Sequence, residues 1–127
     1  MSDCVRSINV ICKHVEDTET FYADFAPLLG TGETLSSVTS VTPTDTTLIA
    51  SSAAVLTVAT TDTQTTRDSL GNTTTVTYVI AANKGVSFVL AGGATGVGVS
   101  LITVKAVKST GKTATLDCVV NVQGVDV

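Results

Sequence analysis

The chain has 127 residues and a formal net charge of −4, with 43% hydrophobic residues but only 4% aromatic ones. That length suits one ordinary domain able to bury a core without metal or disulfide support, and excludes two domains with separate cores. Its seven Lys and Arg are spread along the sequence, which excludes the concentrated basic footprint that a nucleic-acid backbone requires, and no apolar run approaches the ~18 residues of a membrane-spanning helix.

The N-terminus, "MSDCVRSINV", has Asp3 early and no apolar stretch leading to a small-residue cleavage site. It does not read as a signal peptide, so the expectation is synthesis in a cytoplasm. Residues 1–30 differ from the rest in holding the single His, three of the five aromatic residues and much of the charge. Within them "VRSINVIC" alternates imperfectly as a strand would. "EDTETFYADFAPLL" suggests a short helical turn or an irregular docking arm, which Pro27 would end. We therefore expect an N-terminal arm, strand or docking segment over 1–30 and a β-domain over 31–127.

From Leu35 onward valine and threonine prevail, and branched side chains favour the pleated strand over the helix. Strands are expected at 35–42, 54–60, 73–81, 86–91, 98–109 and 113–122. Turn signals separate them at "TPTD" (42–45), "DSLGN" (68–72), "ANKG" (82–85), "GGATG" (92–96) and "STGK" (109–112). Short strands between polar turns, with no 3.6-residue periodicity, indicate a sandwich or a barrel. The clearest faces are Ile102, Val104 and Ala106 against Thr103, Lys105 and Val107, and then Cys118, Val120 and Val122 against Val119 and Asn121. These two segments should join as an antiparallel hairpin around Ser109–Lys112.

Two stretches mimic nucleotide-binding loops. "AVKSTGKT" (106–113) fits a loose P-loop pattern, with Ala106 in the place of the first glycine, and "AGGATGVG" resembles a dinucleotide fingerprint. Both chemistries need the glycine-rich loop to open a helix, whose N-terminal amides hold phosphate. Here each stretch runs into a strand, and only fifteen residues follow Lys112. Both are read as turns.

Cys12, His14 and Glu16 would share one face of a strand, but no second histidine joins them, so His14 is read as a surface or interface residue. Glu16, Asp17, Glu19, Asp24 and Glu33 are read as a solvated or partner-facing stretch, ahead of a calcium loop or a catalytic carboxylate pair. "NTT" at 72–74 matches a glycosylation sequon without any secretory context. Cys4, Cys12 and Cys118 show no zinc-like spacing. In a reducing compartment they would be free thiols, Cys118 packing as a small hydrophobe, with a Cys4–Cys12 or an intermolecular link as the alternative in an oxidised particle.

The order of several short pieces resembles small immunoglobulin-like virion proteins of tailed bacteriophages, labelled head-decoration, fibre or structural proteins. The pieces are Asp24-Phe25, Leu29-Gly30, Glu33-Thr34-Leu35-Ser36-Ser37, Leu90-Ala91-Gly92-Gly93 with Gly96, and Ser109-Thr110-Gly111-Lys112, covering roughly residues 21–122. Phe25 and Val38 stand where that family usually carries tryptophan, and residues 1–20 lie outside the match. The resemblance implies an all-β, immunoglobulin-like antiparallel β-sandwich with an extended N-terminal arm, and a place in a virion. It carries over no catalytic residue, cofactor or metal.

The expected function is that of a non-enzymatic capsid decoration protein on the outer head surface. Its partners would be the major capsid protein and further copies of itself, with neither nucleic acid nor membrane involved. The expected docking residues are Val5, Ile8, Val10, Phe21, Tyr22, Phe25 and Leu28, adding or exchanging edge strands between neighbours. The alternatives are a tail, neck or fibre component, and a carbohydrate-binding adhesion module. With no Trp and two Tyr, the chain is poorly equipped for the last.

Overall fold

The computed structural model describes residues 9–14, 17–67, 70–93 and 99–123. Among these the chain forms nine strands: β1 (Val10–His14), β2 (Glu19–Asp24), β3 (Leu35–Pro43), β4 (Leu48–Val55), β5 (Thr60–Arg67), β6 (Thr73–Ile80), β7 (Gly85–Gly92), β8 (Val99–Lys108) and β9 (Thr113–Gln123). One 3-10 turn, Ala26–Leu28, follows β2. The strands build an all-β sandwich, with one sheet in the order β1-β9-β8-β3 and the other in the order β2-β7-β4. Strands β5 and β6 pair only with each other. Every pairing is antiparallel except that of β1, which runs parallel to β9 from Val10 opposite Val119 to His14 opposite Gln123.

The period-two pattern determines what lies between the sheets. Ile102, Val104 and Ala106 of β8 and Ala114, Cys118 and Val120 of β9 are buried, joined by Ile11 of β1 and Leu35 of β3. The other sheet supplies Phe21 and Ala23 of β2, Val86, Phe88 and Leu90 of β7, and Leu48 of β4. Phe21 lies directly opposite Phe88 across the β2–β7 ladder. These two and Phe25 are the chain's three phenylalanines, and all are fully buried. Each contributes roughly 1.5–3 kcal/mol of burial free energy. The β8–β9 hairpin forms where expected: Gly111, at φ +88, donates its N–H to the Lys108 carbonyl, and Lys108 donates to the Lys112 carbonyl.

Three expectations give way. The segment "ETFYAD" is strand β2, because Phe21, Ala23 and Phe25 alternate inward while Tyr22 and Asp24 stay half-buried. The same period-two signal is in the sequence, hidden by the surrounding charges. Residues 10–14 and 19–25 are consequently part of the sandwich rather than an arm ahead of it, and the boundary drawn at residue 30 separates no two units within the described chain. The expected strand at 54–60 is divided. Strand β4 starts earlier, at Leu48, and stops at Val55; Leu56 still donates to Gly85 O of β7 at 2.9 Å, but it accepts from Asn83 N, in the turn before β7, at 2.7 Å. Strand β5, "TTDTQTTR", has no apolar alternation to announce it. Its threonines favour the strand by β-branching alone.

One residue joins the two sheets at a corner. Asn9, at φ +60, gives its backbone carbonyl to Val119 N of the first sheet (2.9 Å). Its side-chain amide reaches β2 of the second, where Oδ1 accepts from Asp24 N (2.9 Å) and Nδ2 donates to Asp24 O (3.2 Å). The amide thus stands in for one residue of a neighbouring strand. Asp24 in turn accepts from Ala26 N (2.9 Å), fixing the start of the 3-10 turn. Replacing Asn9 with Gly retains the positive φ but removes the amide, which should cost about 1–3 kcal/mol. Asn9→Ala should cost roughly 1–2 kcal/mol more, because a Cβ disfavours the left-handed backbone. Urea unfolding of the two variants measures both steps; a glycine variant as stable as the parent would show that the clasp contributes nothing.

Candidate functional site

The structure assigns a place to each motif. Ser109–Lys112 is the tip of the β8–β9 hairpin, Lys112 is exposed, and β9 follows where a phosphate-binding helix would have to start. The tip serves as an anchor. Glu33, in the connection before β3, accepts from Gly30 N (2.6 Å) and from Thr110 Oγ1 (3.1 Å), with Lys108 Nζ at 3.7 Å. Ser109 N donates to Thr34 O at 2.7 Å beside it. Gly92 and Gly93 take φ values of +71 and +108, and a Cβ on Gly92 would lie 2.5 Å from the Thr47 carbonyl oxygen. That close backbone approach, with the bond from Gly93 N to Thr47 O (3.0 Å), is what the glycines permit. The remainder of that glycine-rich stretch, 94–98, lies outside the described residues.

The expected docking residues divide. Val5 and Ile8 lie outside the described residues. Phe21 and Phe25 are buried in the core and are closed to a neighbour while β2 holds its place on β7. Tyr22 and Val10 are half-buried, and Leu28, just after Pro27, is 39% exposed. The docking list therefore reduces, among described residues, to Val10, Tyr22 and Leu28. Of the suspected Cys12–His14–Glu16 face, Cys12 is disulfide-bonded, its partner falling outside the described residues, while Cys118 is a buried free thiol. The free-thiol expectation thus fails at Cys12 and holds at Cys118. His14 lies in β1 opposite Gln123, and Glu16 is outside the described residues. No group of three His, Cys, Asp or Glu placed to hold a metal occurs among the described residues.

The most unusual side chain belongs to none of these motifs. Lys13 is fully buried between the sheets, and its Nζ donates to Gly92 O at 2.6 Å. The signal was available, since Lys13 follows Ile11 by two residues and shares its inward face. Burial lowers the Lys13 pKa from its ordinary 10.5, while the charges of Asp17 and Glu19 oppose the shift. Asp45 is buried at the same end of the sandwich, its Oδ1 accepting from Thr47 N (2.9 Å) and Thr47 Oγ1 (2.6 Å) in the turn that precedes β4.

The chain's two tyrosines, Tyr22 and Tyr78, converge with Asn9, Asp24, Asp62 and Ile80 on a pocket with room for about one water molecule. No helix among the described residues is long and apolar enough to cross a membrane. No family model, curated protein or solved structure matches the chain.

Two pH dependences follow. Glu33 has its pKa lowered, chiefly by the Gly30 N–H and then by Thr110. It therefore stabilises the fold above its ordinary 4.5, and that contribution disappears as pH falls through the depressed folded value. Glu33→Gln should make the urea midpoint less sensitive to pH between neutrality and pH ~3; an unchanged acid profile would remove Glu33 from the account. For Lys13 the sign is opposite. Between its lowered folded value and 10.5 the unfolded chain holds more protons, so stability rises with pH across that window. Lys13→Met should fold and lose this alkaline rise, because it removes a buried charge at similar volume.

Proposed function

We propose that this chain is an immunoglobulin-like structural protein of a bacteriophage virion, a decoration protein seated on the outer surface of the head. The observation that carries the reading is the order of the short sequence pieces from Asp24-Phe25 to Ser109–Lys112, which resembles that of such proteins over roughly residues 21–122. The strand order supports the fold part of it. Immunoglobulin-like sandwiches set B-E-D against C-F-G. The same arrangement results from β2-β7-β4 against β3-β8-β9, when β1 is taken as an added strand along β9 and β5–β6 as an insertion ahead of β7.

A small, weakly charged domain suits a role in which many copies bind a repeating surface and each contact is modest. Because Phe21 and Phe25 are committed to the core, docking to the capsid falls to surface positions such as Leu28 and Val10, and to strand edges. The reading predicts hundreds of copies per particle, in fixed proportion to the major capsid protein. Quantitative mass spectrometry of the purified virion, with an electron-microscopy map of its head, measures this. A handful of copies would move the protein to the tail or neck, and absence from the particle would end the virion reading altogether.

A further inference from the structure

Strands β5 and β6 pair only with each other, so the position of this hairpin depends on what its base meets. Two features meet it among the described residues. The first is dry: Ile80, which ends β6, is buried, and a Cβ on Gly85 at the start of β7 would collide with its Cγ2. The second is polar. Asp62 lies opposite Tyr78 and Thr60 opposite Ile80, so Asp62, Tyr78 and Ile80 share one face of the hairpin. That face meets Asn9, Tyr22 and Asp24 of the sandwich around the small pocket already described.

The pocket has a volume of about 10 Å³, the lower end of the 10–15 Å³ or so that one water requires. Size excludes any larger ligand. A space of this size stays dry when its walls are apolar and retains water when two to four polar groups face it. Here every lining residue except Ile80 has a side chain able to hydrogen-bond. Asp62 is only 6% exposed, and a carboxyl group offers about four lone-pair sites. Tyr22 and Tyr78 are half-buried, and among the described residues neither hydroxyl has a protein hydrogen-bond partner. Buried tyrosine hydroxyls ordinarily find one. No group of three metal-holding side chains occurs among the described residues, which leaves water as the occupant that fits both the size and the chemistry.

We propose that this pocket is a binding site for one ordered water, which bridges the Tyr78 hydroxyl and Asp62 of the hairpin to the Tyr22 hydroxyl of β2. A bridging water is nearly as favourable in enthalpy as a direct hydrogen bond and costs at most about 2 kcal/mol in entropy. Its role is to orient the hairpin. Apolar packing of Ile80 on Gly85 is non-directional and holds the base in place, whereas hydrogen bonds prefer near-linear geometry and fix the angle. The bridge also reaches the Asn9 corner, since Asn9 and Asp24 line the same space while bonded to each other. The hairpin is thereby coupled to the residue that joins the two sheets.

The test uses the full chain and does not depend on any virion. A high-resolution crystal structure should show one water within roughly 2.5–3.2 Å of Tyr22 and of Asp62 or Tyr78. Tyr22→Phe and Tyr78→Phe each keep the ring and remove the hydroxyl, so both should fold. Each should lower the folding equilibrium constant, measured by urea unfolding, roughly two- to tenfold. Either change alone breaks the same bridge, so the double variant should lose clearly less than the product of the two single losses. Contact between the rings is unchanged in all three variants and contributes nothing to that difference. A pocket filled by a side chain, a water that touches only one side, a metal ion in its place, or single losses that multiply in full would each overturn the proposal.

Discussion

The sandwich depends on one corner, where Asn9 belongs to both sheets at once. A β-sandwich has no backbone hydrogen bonds between its layers, so its two sheets are held by side-chain packing and by whatever crosses at the rim. Here the crossing is an amide that pairs with Asp24 as a strand residue would, while the Asn9 carbonyl continues the β1–β9 ladder. The left-handed backbone at Asn9 lets one residue serve both directions, and asparagine tolerates that conformation better than other residues with a side chain. Without the clasp, the N-terminal end of this five-residue parallel edge strand would lose its tie to the second sheet, leaving Ile11 in the core and Lys13 on Gly92 to hold β1.

The other described polar contacts repeat the same logic elsewhere on the rim. Lys13 holds the Gly92 carbonyl where β7 ends, so β1 is attached to the opposite sheet at both of its ends. Glu33 holds Gly30 and Thr110, tying the connection after the 3-10 turn to the β8–β9 tip. Asp45 orders the β3–β4 turn through Thr47. Each substitutes for a backbone partner that the local chain lacks. The interior, with only three phenylalanines among Val, Leu, Ile and Ala, gives burial without many aromatic contacts, and the rim fixes the register that such a uniform core specifies weakly.

How much of this was legible in the sequence depended on whether the signal was periodic. The β8–β9 hairpin was, because Ile102, Val104 and Ala106 repeat at period two and Gly111 marks the turn. Strand β2 carried the same period in Phe21, Ala23 and Phe25, but Asp17, Glu19 and Asp24 gave its neighbourhood the look of a solvated arm. Strand β5 had no hydrophobic face to read, since threonine occupies both sides. The clasp at Asn9 was not legible, because it depends on a backbone angle and on a partner fifteen residues away. Lys13 was legible only in part: its position two residues after Ile11 implied burial, while the carbonyl that accepts its hydrogen bond lies seventy-nine residues later.

This use of polar residues constrains where recognition can reside. At Asn9, Lys13, Glu33 and Asp45 the side chains that would ordinarily contact a ligand are engaged in holding the rim, and moving them to meet a substrate would loosen the sandwich they secure. The two tyrosines, both half-buried, line a space with room for about one water molecule. The described surface carries exposed apolar residues such as Leu28, Ile49 and Val79. On the proposed decoration reading, contacts at such positions would be individually modest and repeated over many copies.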